Sequence, residues 1–218
     1  MPTPEQYRRA LLAVVGRAVA DGQARLGTGT IDDLIADTTG IVDVYSDGTA
    51  ALALDQHAEL RDAARAPGRY VPTPVVDLRA EQIRRGAIWA AQPLRWDTPD
   101  PDLAGARLAE VIDLEVARPF YATVTGNVRR DPAAVGWQRI THRGACKFCT
   151  FLADRGAVYR AETARFAAHP GCGCSAVPVF QGQQVGPPAD ALQYAASARR
   201  KTPAQRQRLR EALAAMPD

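Results

Sequence analysis

Apolar residues begin to recur at helical spacing almost from the start of the chain. Thr3-Pro4 has the form of an N-cap followed by proline in the first turn, and Tyr7, Leu11, Val15, Ala18 and Val19 then share one face until Gly27. Thr30 with Asp33 can cap a second helix, which takes in Ile31, Leu34 and Ile35. Asp47-Gly48 is ordinarily a hairpin signal, but the Ala-rich run from Ala50 to Arg65 reads as continuous helix, so residues 40–66 are predicted mostly helical with a flaw at Gly48. Residues 66–74 contain three prolines and read as an extended connector, because a residue before proline avoids the helical region. A helix is expected from about Leu78 to Ala91, with Ile83, Ala87, Ile88 and Ala91 on one face, and Pro93 to Pro101 interrupts it. A long helix follows over residues 102–130, presenting Leu103, Ala106, Val111, Leu114, Val124 and Val128, and Pro119 should end or kink it.

The pattern changes at Gly136-Trp137. Short β-like runs at 137–141 and 157–159 bracket a cysteine pair, Gly144, Gly156, Gly171 and Gly173 mark turns, and residues 175–180 are extended. Residues 181–188 read as a Gly/Gln/Pro linker, and 189–216 as one or two helices restarted at Thr202-Pro203. The predicted fold class is mainly α with a small α+β zinc-stabilised module. Its parts are a helical region over 1–131, a metal-binding module over 132–182, and a linker with a basic C-terminal helix over 183–218.

Composition adds limits. With 218 residues, 46% hydrophobic and 23% charged, the chain can bury a real core, so a metal need not be its only source of stability. A net charge of +3 does not announce a nucleic-acid or membrane binder. No stretch approaches the roughly 18–20 apolar residues that cross a bilayer, and the N-terminus lacks the form of a secretory signal. A cytosolic site of synthesis is expected, where clustered cysteines are better explained by metal than by disulfides.

All four cysteines fall between positions 146 and 174. Cys146-Lys-Phe-Cys149 can place two sulfurs on one ion, and His169-Pro-Gly-Cys172-Gly-Cys174 supplies a second compact set of donors. The five candidates Cys146, Cys149, His169, Cys172 and Cys174 exceed the four positions of a tetrahedral site. Either all four thiolates bind, or His169 replaces Cys172 or Cys174. Soft donors favour structural Zn2+ over calcium or magnesium, and Cys-x-Cys is not the usual spacing of an iron–sulfur cluster. The surplus of donors predicts a closed shell and a structural role, and no hydrolase, phosphate-loop or Rossmann motif is present, so an enzyme is disfavoured. His57 reads as a surface or packing histidine, His142 as an exposed loop residue or spare ligand, and Asp154 and Glu162 as solvated loop carboxylates.

The concentrated basic run is Arg199, Arg200, Lys201, Arg206, Arg208 and Arg210, which can contact DNA or acidic protein, but without interleaved aromatics it reads first as a solvated helix face with Leu209, Leu213 and Met216 docking elsewhere. A zinc-containing nucleic-acid-binding module using this helix is the alternative function.

The segments Arg130-Asp-Pro-Ala-Ala-Val-Gly-Trp137, Gly144-Ala-Cys146-Lys-Phe-Cys149, Leu152-Ala-Asp-Arg-Gly156, Val158-Tyr159, Phe166-Ala-Ala-His169-Pro-Gly-Cys172-Gly-Cys174 and Pro178-Val-Phe180 resemble the MuF-like minor capsid or head-morphogenesis proteins of tailed phages, in the form found in actinobacteriophages. The resemblance extends over roughly residues 5–180, with Ala50 to Arg61 and Pro67-Gly-Arg-Tyr70 matching its helical part. It implies a non-enzymatic structural protein of the virion head. Such a protein is associated with the portal and other capsid proteins, aids head morphogenesis or DNA delivery, and passes through the host cytoplasm during assembly.

Overall fold

The computed structural model describes residues 2–142, 145–154, 156, 159, 166, 169, 171–183 and 207. Its architecture is mainly helical, with a small two-stranded sheet and a Cys/His cluster towards the C-terminal side. Helix α1 spans Pro4–Gln23 and α2 spans Ile31–Ala63. Both begin with a reciprocal capping box, Thr3 with Gln6 and Thr30 with Asp33. Helix α3 covers Ala80–Ala91 and runs into a short 3-10 turn, Gln92–Arg95. Helix α4 covers Pro101–Arg130, with Asp100 capping it through Leu103 N. Strand β1 (Ala134–Ile140), helix α5 (Lys147–Asp154) and strand β2 (Ser175–Phe180) complete the set, and β1 and β2 pair antiparallel. Of the second β-like run, Tyr159 is described and bridges Trp137, while residues 157 and 158 lie outside the described residues. The helices expected over 189–216, including Arg199, Arg200, Lys201, Arg206, Arg208 and Arg210, lie outside the described residues, apart from the helical Gln207.

Helix α4 is the element against which the others pack: it touches α1, α2, α3 and both strands. Leu108, Ile112, Val116, Phe120, Val124 and Val128 are all essentially buried along it. Small residues let its neighbours come close. A Cβ at Gly22 of α1 would collide with the Ile112 side chain, and one at Gly86 of α3 would lie 2.9 Å from Val111.

Neither Gly48 nor Pro119 ends its helix. Helix α2 runs unbroken through Gly48, because Ser46, Thr49, Ala50 and Ala53 bury one face against the bundle. That burial outweighs the ~1 kcal/mol that glycine costs inside a helix. Pro119 likewise leaves α4 continuous. Proline denies the Glu115 carbonyl its helical donor, yet Val116, Ala117 and Phe120 are buried on both sides of the lesion. The Thr49 hydroxyl of α2 donates to the neighbouring Val116 carbonyl at 2.8 Å.

The C-terminal end of α4 is fixed by a buried charge cluster. Asp131 Oδ2 lies 3.0 Å from both His57 Nε2 and Arg61 Nε of α2, while its Oδ1 accepts the Ala133 N–H. Arg61 also donates to the Pro67 carbonyl at 2.6 Å, so the same group ties down the start of the connector. Further along, the Tyr70 hydroxyl and the Thr73 N–H both donate to Asn127 Oδ1, and Val75 N–H donates to Thr123 Oγ1. His57 is therefore a packing residue and not a surface one: it is fully buried against the rings of Tyr70 and Phe180. Outside the bundle, the Arg107 guanidinium sits 4.7 Å from the Trp89 ring and 6.0 Å from that of Trp96, and both indoles are well exposed. No helix among the described residues is long and apolar enough to cross a membrane.

Burial, the largest influence on His57, pushes its imidazole below the ordinary value of 6.5, against the pull of Asp131. Burial would raise Asp131, but the Ala133 N–H, His57 and Arg61 together hold it below 3.8. Both shifts have the same consequence. The unfolded chain takes up protons more readily, so stability falls as pH drops below about 6.5 for His57, and again as it drops below about 3.8 for Asp131. Replacing Asp131 by Ala leaves Arg61 buried without its counter-charge and should cost about 3–5 kcal/mol in urea denaturation. In the same assay, His57→Gln should flatten the loss of stability between about pH 6.5 and pH 5, and an unchanged slope would count against this account.

Candidate metal centre

Cys146 immediately precedes α5. Its sulfur accepts the Cys149 N–H at 3.4 Å and its carbonyl accepts the Thr150 N–H at 3.0 Å, so a helix start, not a free turn, orients the first pair. One turn of helix then brings the Cys149 sulfur to the same side, where it is buried. The second set approaches on a turn in which Gly171 and Gly173 both have positive φ, at +69° and +55°. Cys174 leads directly into β2, so the sheet fixes that end of the loop.

All five candidate donors converge. Cys146 Sγ lies 3.1 Å from His169 Nε2, and Cys149 Sγ lies 3.7 Å from the same nitrogen. On its other side Cys149 Sγ is 2.9 Å from Cys172 Sγ and 4.0 Å from Cys174 Sγ, with 2.8 Å between the last two. The donors thus form two overlapping groups, Cys146/Cys149/His169 and Cys149/Cys172/Cys174, and each can hold a metal ion. Cys149 belongs to both. The cysteines are unbridged, at separations well beyond the ~2.05 Å of a disulfide. Four thiolates around a tetrahedral ion stand ~3.8 Å apart, so binding would spread Cys172 from its two neighbours by about an ångström.

Without a cation, the thiols divide. Donation from Cys174 lowers Cys172 to about 5 in spite of its burial. Burial raises Cys149 to about 12, and the thiolate beside it together with burial raises Cys174 as well. Cys146 is lowered: the Cys149 N–H and His169 outweigh the effect of burial. A divalent ion removes the conflict by letting the buried sulfurs ionise together, and its binding must therefore release protons.

The surroundings hold the donors from several elements. Buried Arg139 of β1 donates to Cys174 Sγ at 2.7 Å while its guanidinium lies 4.1 Å from the centre of the Phe166 ring. Arg8 of α1 donates to the Gly173 carbonyl at 2.9 Å, and the Tyr121 hydroxyl of α4 donates to the Cys174 carbonyl at 2.9 Å. Asp113 of α4 accepts the Gly171 N–H. Beneath them Tyr121 stacks on Phe166, and Trp137 stacks on Tyr159 at 4.2 Å. Arg8, Asp113, Tyr121 and Arg139 were not singled out from sequence. They lie in three separate elements, and only their convergence marks them.

Of the other candidates, His142 approaches the glycine turn: a Cβ on Gly173 would lie 3.1 Å from its ring. It stands outside both donor groups, as does Asp154 at the end of α5. Glu162 lies outside the described residues.

The sequence matches the profile of the VG15 protein family over residues 4–198. The chain belongs to this family of phage-associated viral proteins. No curated protein and no solved structure matches it.

Gly171 and Gly173 provide a matched test of the turn. Both alanine variants pay the left-handed backbone cost of ~1–2 kcal/mol, but space at Gly171 is open whereas Gly173 faces the His142 ring. Gly173→Ala should therefore lose about 1–3 kcal/mol more than Gly171→Ala in chemical denaturation. Equal losses would show that the turn is not packed as described.

Proposed function

We propose that the protein is a structural, MuF-like minor capsid component of a tailed-phage head, associated with the portal and aiding head morphogenesis or DNA delivery. Membership of a phage-associated family across residues 4–198 carries this reading. The donor chemistry of the Cys/His cluster supports it: five thiolate and imidazole donors for four positions suit a staple better than a reactive ion with an open position, and Arg139 and Tyr121 hold Cys174 in place. The role is structural, not enzymatic. The basic residues 199–210 supply a second means of contact, to phage DNA or to an acidic face of another virion protein. The protein would then reside in the virion head after assembly in the host cytoplasm.

The ion in this reading is one zinc. The donor set is thiolate and imidazole, the borderline-soft chemistry that zinc accepts, and it lacks the oxygen cage of calcium or magnesium. Cys149, common to both groups, is the fixed ligand, and the remaining positions are filled from Cys146, His169, Cys172 and Cys174. Zinc would join the start of α5 to the start of β2, across a stretch with little apolar core of its own.

Freshly purified, reduced protein should contain about one zinc per chain by elemental analysis, released below neutral pH as the thiolates protonate. Cys149→Ala should reduce zinc affinity by more than 100-fold, beyond the ~10–100-fold expected for Arg139→Gln, which alters a partner of one ligand only. Similar losses in the two variants would remove Cys149 from its central place. Mass spectrometry of gradient-purified phage particles tests the role itself. The protein should co-purify with portal-containing heads in few copies, and its presence only in the infected-cell lysate would refute a capsid function.

A further inference from the structure

Helix α2 presents one face to solvent along most of its length. Asp43, Val44, Asp47, Ala51 and Asp55 are exposed on it, and Val44 is 72% exposed. Gly40 and Gly48 lie on the same side, one turn before and one turn after Val44, and a Cβ at either would meet nothing. Glycine weakens a helix interior, and elsewhere in this fold it stands where a second helix presses close, Gly22 against Ile112 and Gly86 against Val111. Gly40 and Gly48 leave an equally flat surface on the outside of the bundle. Its charge is one-sided. Apart from His57 and Arg61, both buried on Asp131, the charged side chains of α2 are all acidic. Asp37 pairs with Arg25, and Asp33 caps Thr30. Asp43, Asp47 and Asp55 form no ion pair among the described residues. Arg17 of α1, which reaches Tyr45 on the flank of this face, is paired with Asp21.

The chain's own basic segment carries the complementary pattern. Arg199, Arg200, Lys201, Arg206, Arg208 and Arg210 follow one another with no acidic residue between them. On the helix that the sequence predicts after Pro203, Leu209, Leu213 and Met216 form a stripe. Arg206 and Arg210 flank that stripe one turn apart, which is the spacing of Asp43 and Asp47. Strand β2 delivers the segment to α2, since the Phe180 ring lies 5.2 Å from that of His57. Val44 is about 20 Å further back along the helix. Residues 184–198 span about 30 Å with 189–198 helical, enough to pass round α2 and along it. A tether of this length raises the local concentration of the basic helix, so individually weak surface ion pairs suffice to hold it.

We infer that residues 203–216 dock as a helix on the outer face of α2 in the same chain, with Leu209 and Leu213 over Val44 and Ala51, and Arg206 and Arg210 at Asp43 and Asp47. The inference is independent of the virion role, since it concerns where the basic segment rests in the free protein. A DNA or acidic protein partner would have to displace it.

The test uses the full-length, zinc-loaded protein. Its lysines are Lys147 and Lys201, so a carbodiimide, which joins lysine to carboxylate without a spacer, reports directly on the basic segment. Mass spectrometry should find Lys201 joined to Asp43, Asp47 or Asp55, in a yield that falls as salt rises from about 0.05 to 0.5 M. Hydrogen exchange at the amides of residues 209–216 should quicken at least tenfold in Asp43→Arg/Asp47→Arg and in Arg206→Glu/Arg210→Glu. It should return towards the original rate when all four substitutions are combined. Asp97→Arg, between the 3-10 turn and α4, should leave it unchanged. Slow exchange within α2 itself shows that each variant is folded. Lys201 joined chiefly to carboxylates outside α2 would overturn the inference, as would exchange in 209–216 that ignores both double substitutions. Mixing 15N-labelled with unlabelled protein before the reaction should give links within one isotope. Mixed-isotope links would give the face to the tail of a second copy and overturn docking within one chain.

Discussion

The structure depends on the burial of α4 against most of the rest of the chain. A helix of 30 residues is about 45 Å long, and here α1, α2, α3 and the sheet all lean on it. That arrangement sets the constraints elsewhere. Glycines stand on α1 and α3 where those helices press against it, and a threonine on α2 donates to its Val116 carbonyl. Its last residues are anchored through Asn127 and Asp131 to the connector and to α2. The metal loop uses the same scaffold, since Asp113 and Tyr121 of α4 hold the backbone of Gly171 and Cys174. The candidate centre is thus an outgrowth of the helical core, not a separate bead.

Much of the helical pattern is legible in the residues. Thr3, Thr30, Pro4 and the apolar stripes place α1 and the start of α2 closely, because capping and periodicity act within a few residues of each other. The misreadings concern interruptions and one face: α4 buries Leu108, Ile112, Val116 and Phe120, whereas Ala106 of the expected stripe is exposed. Gly48 and Pro119 are local breakers whose cost is met by distant packing, and a residue such as Thr49 gives no sign in sequence that it will face Val116. The same limit hid the Asp131 cluster, whose members lie on α2 and just beyond α4, more than 60 residues apart.

The five candidate donors were readable as a group because they are rare residue types packed into a short stretch. Their supporting partners were not, because arginine, aspartate and tyrosine are common and carry no spacing signal of their own. Arg139 illustrates the difference. In sequence it is one arginine of many on a β-like run; in the fold it is buried, rests on Phe166 and points a charge at Cys174. A cluster rich in thiolates needs such a cation nearby, since even a divalent ion leaves net negative charge when three or four sulfurs bind it.

The three tryptophans divide cleanly between two environments. Trp137 is buried against Tyr159 next to the Cys/His loop, while Trp89 and Trp96 are exposed near Arg107. The molecule therefore carries its own optical reporters. A water-soluble quencher reaches two indoles on the bundle surface and spares the third, so the unquenched emission follows the packing around the metal loop while the quenched fraction follows the outer face of the helices.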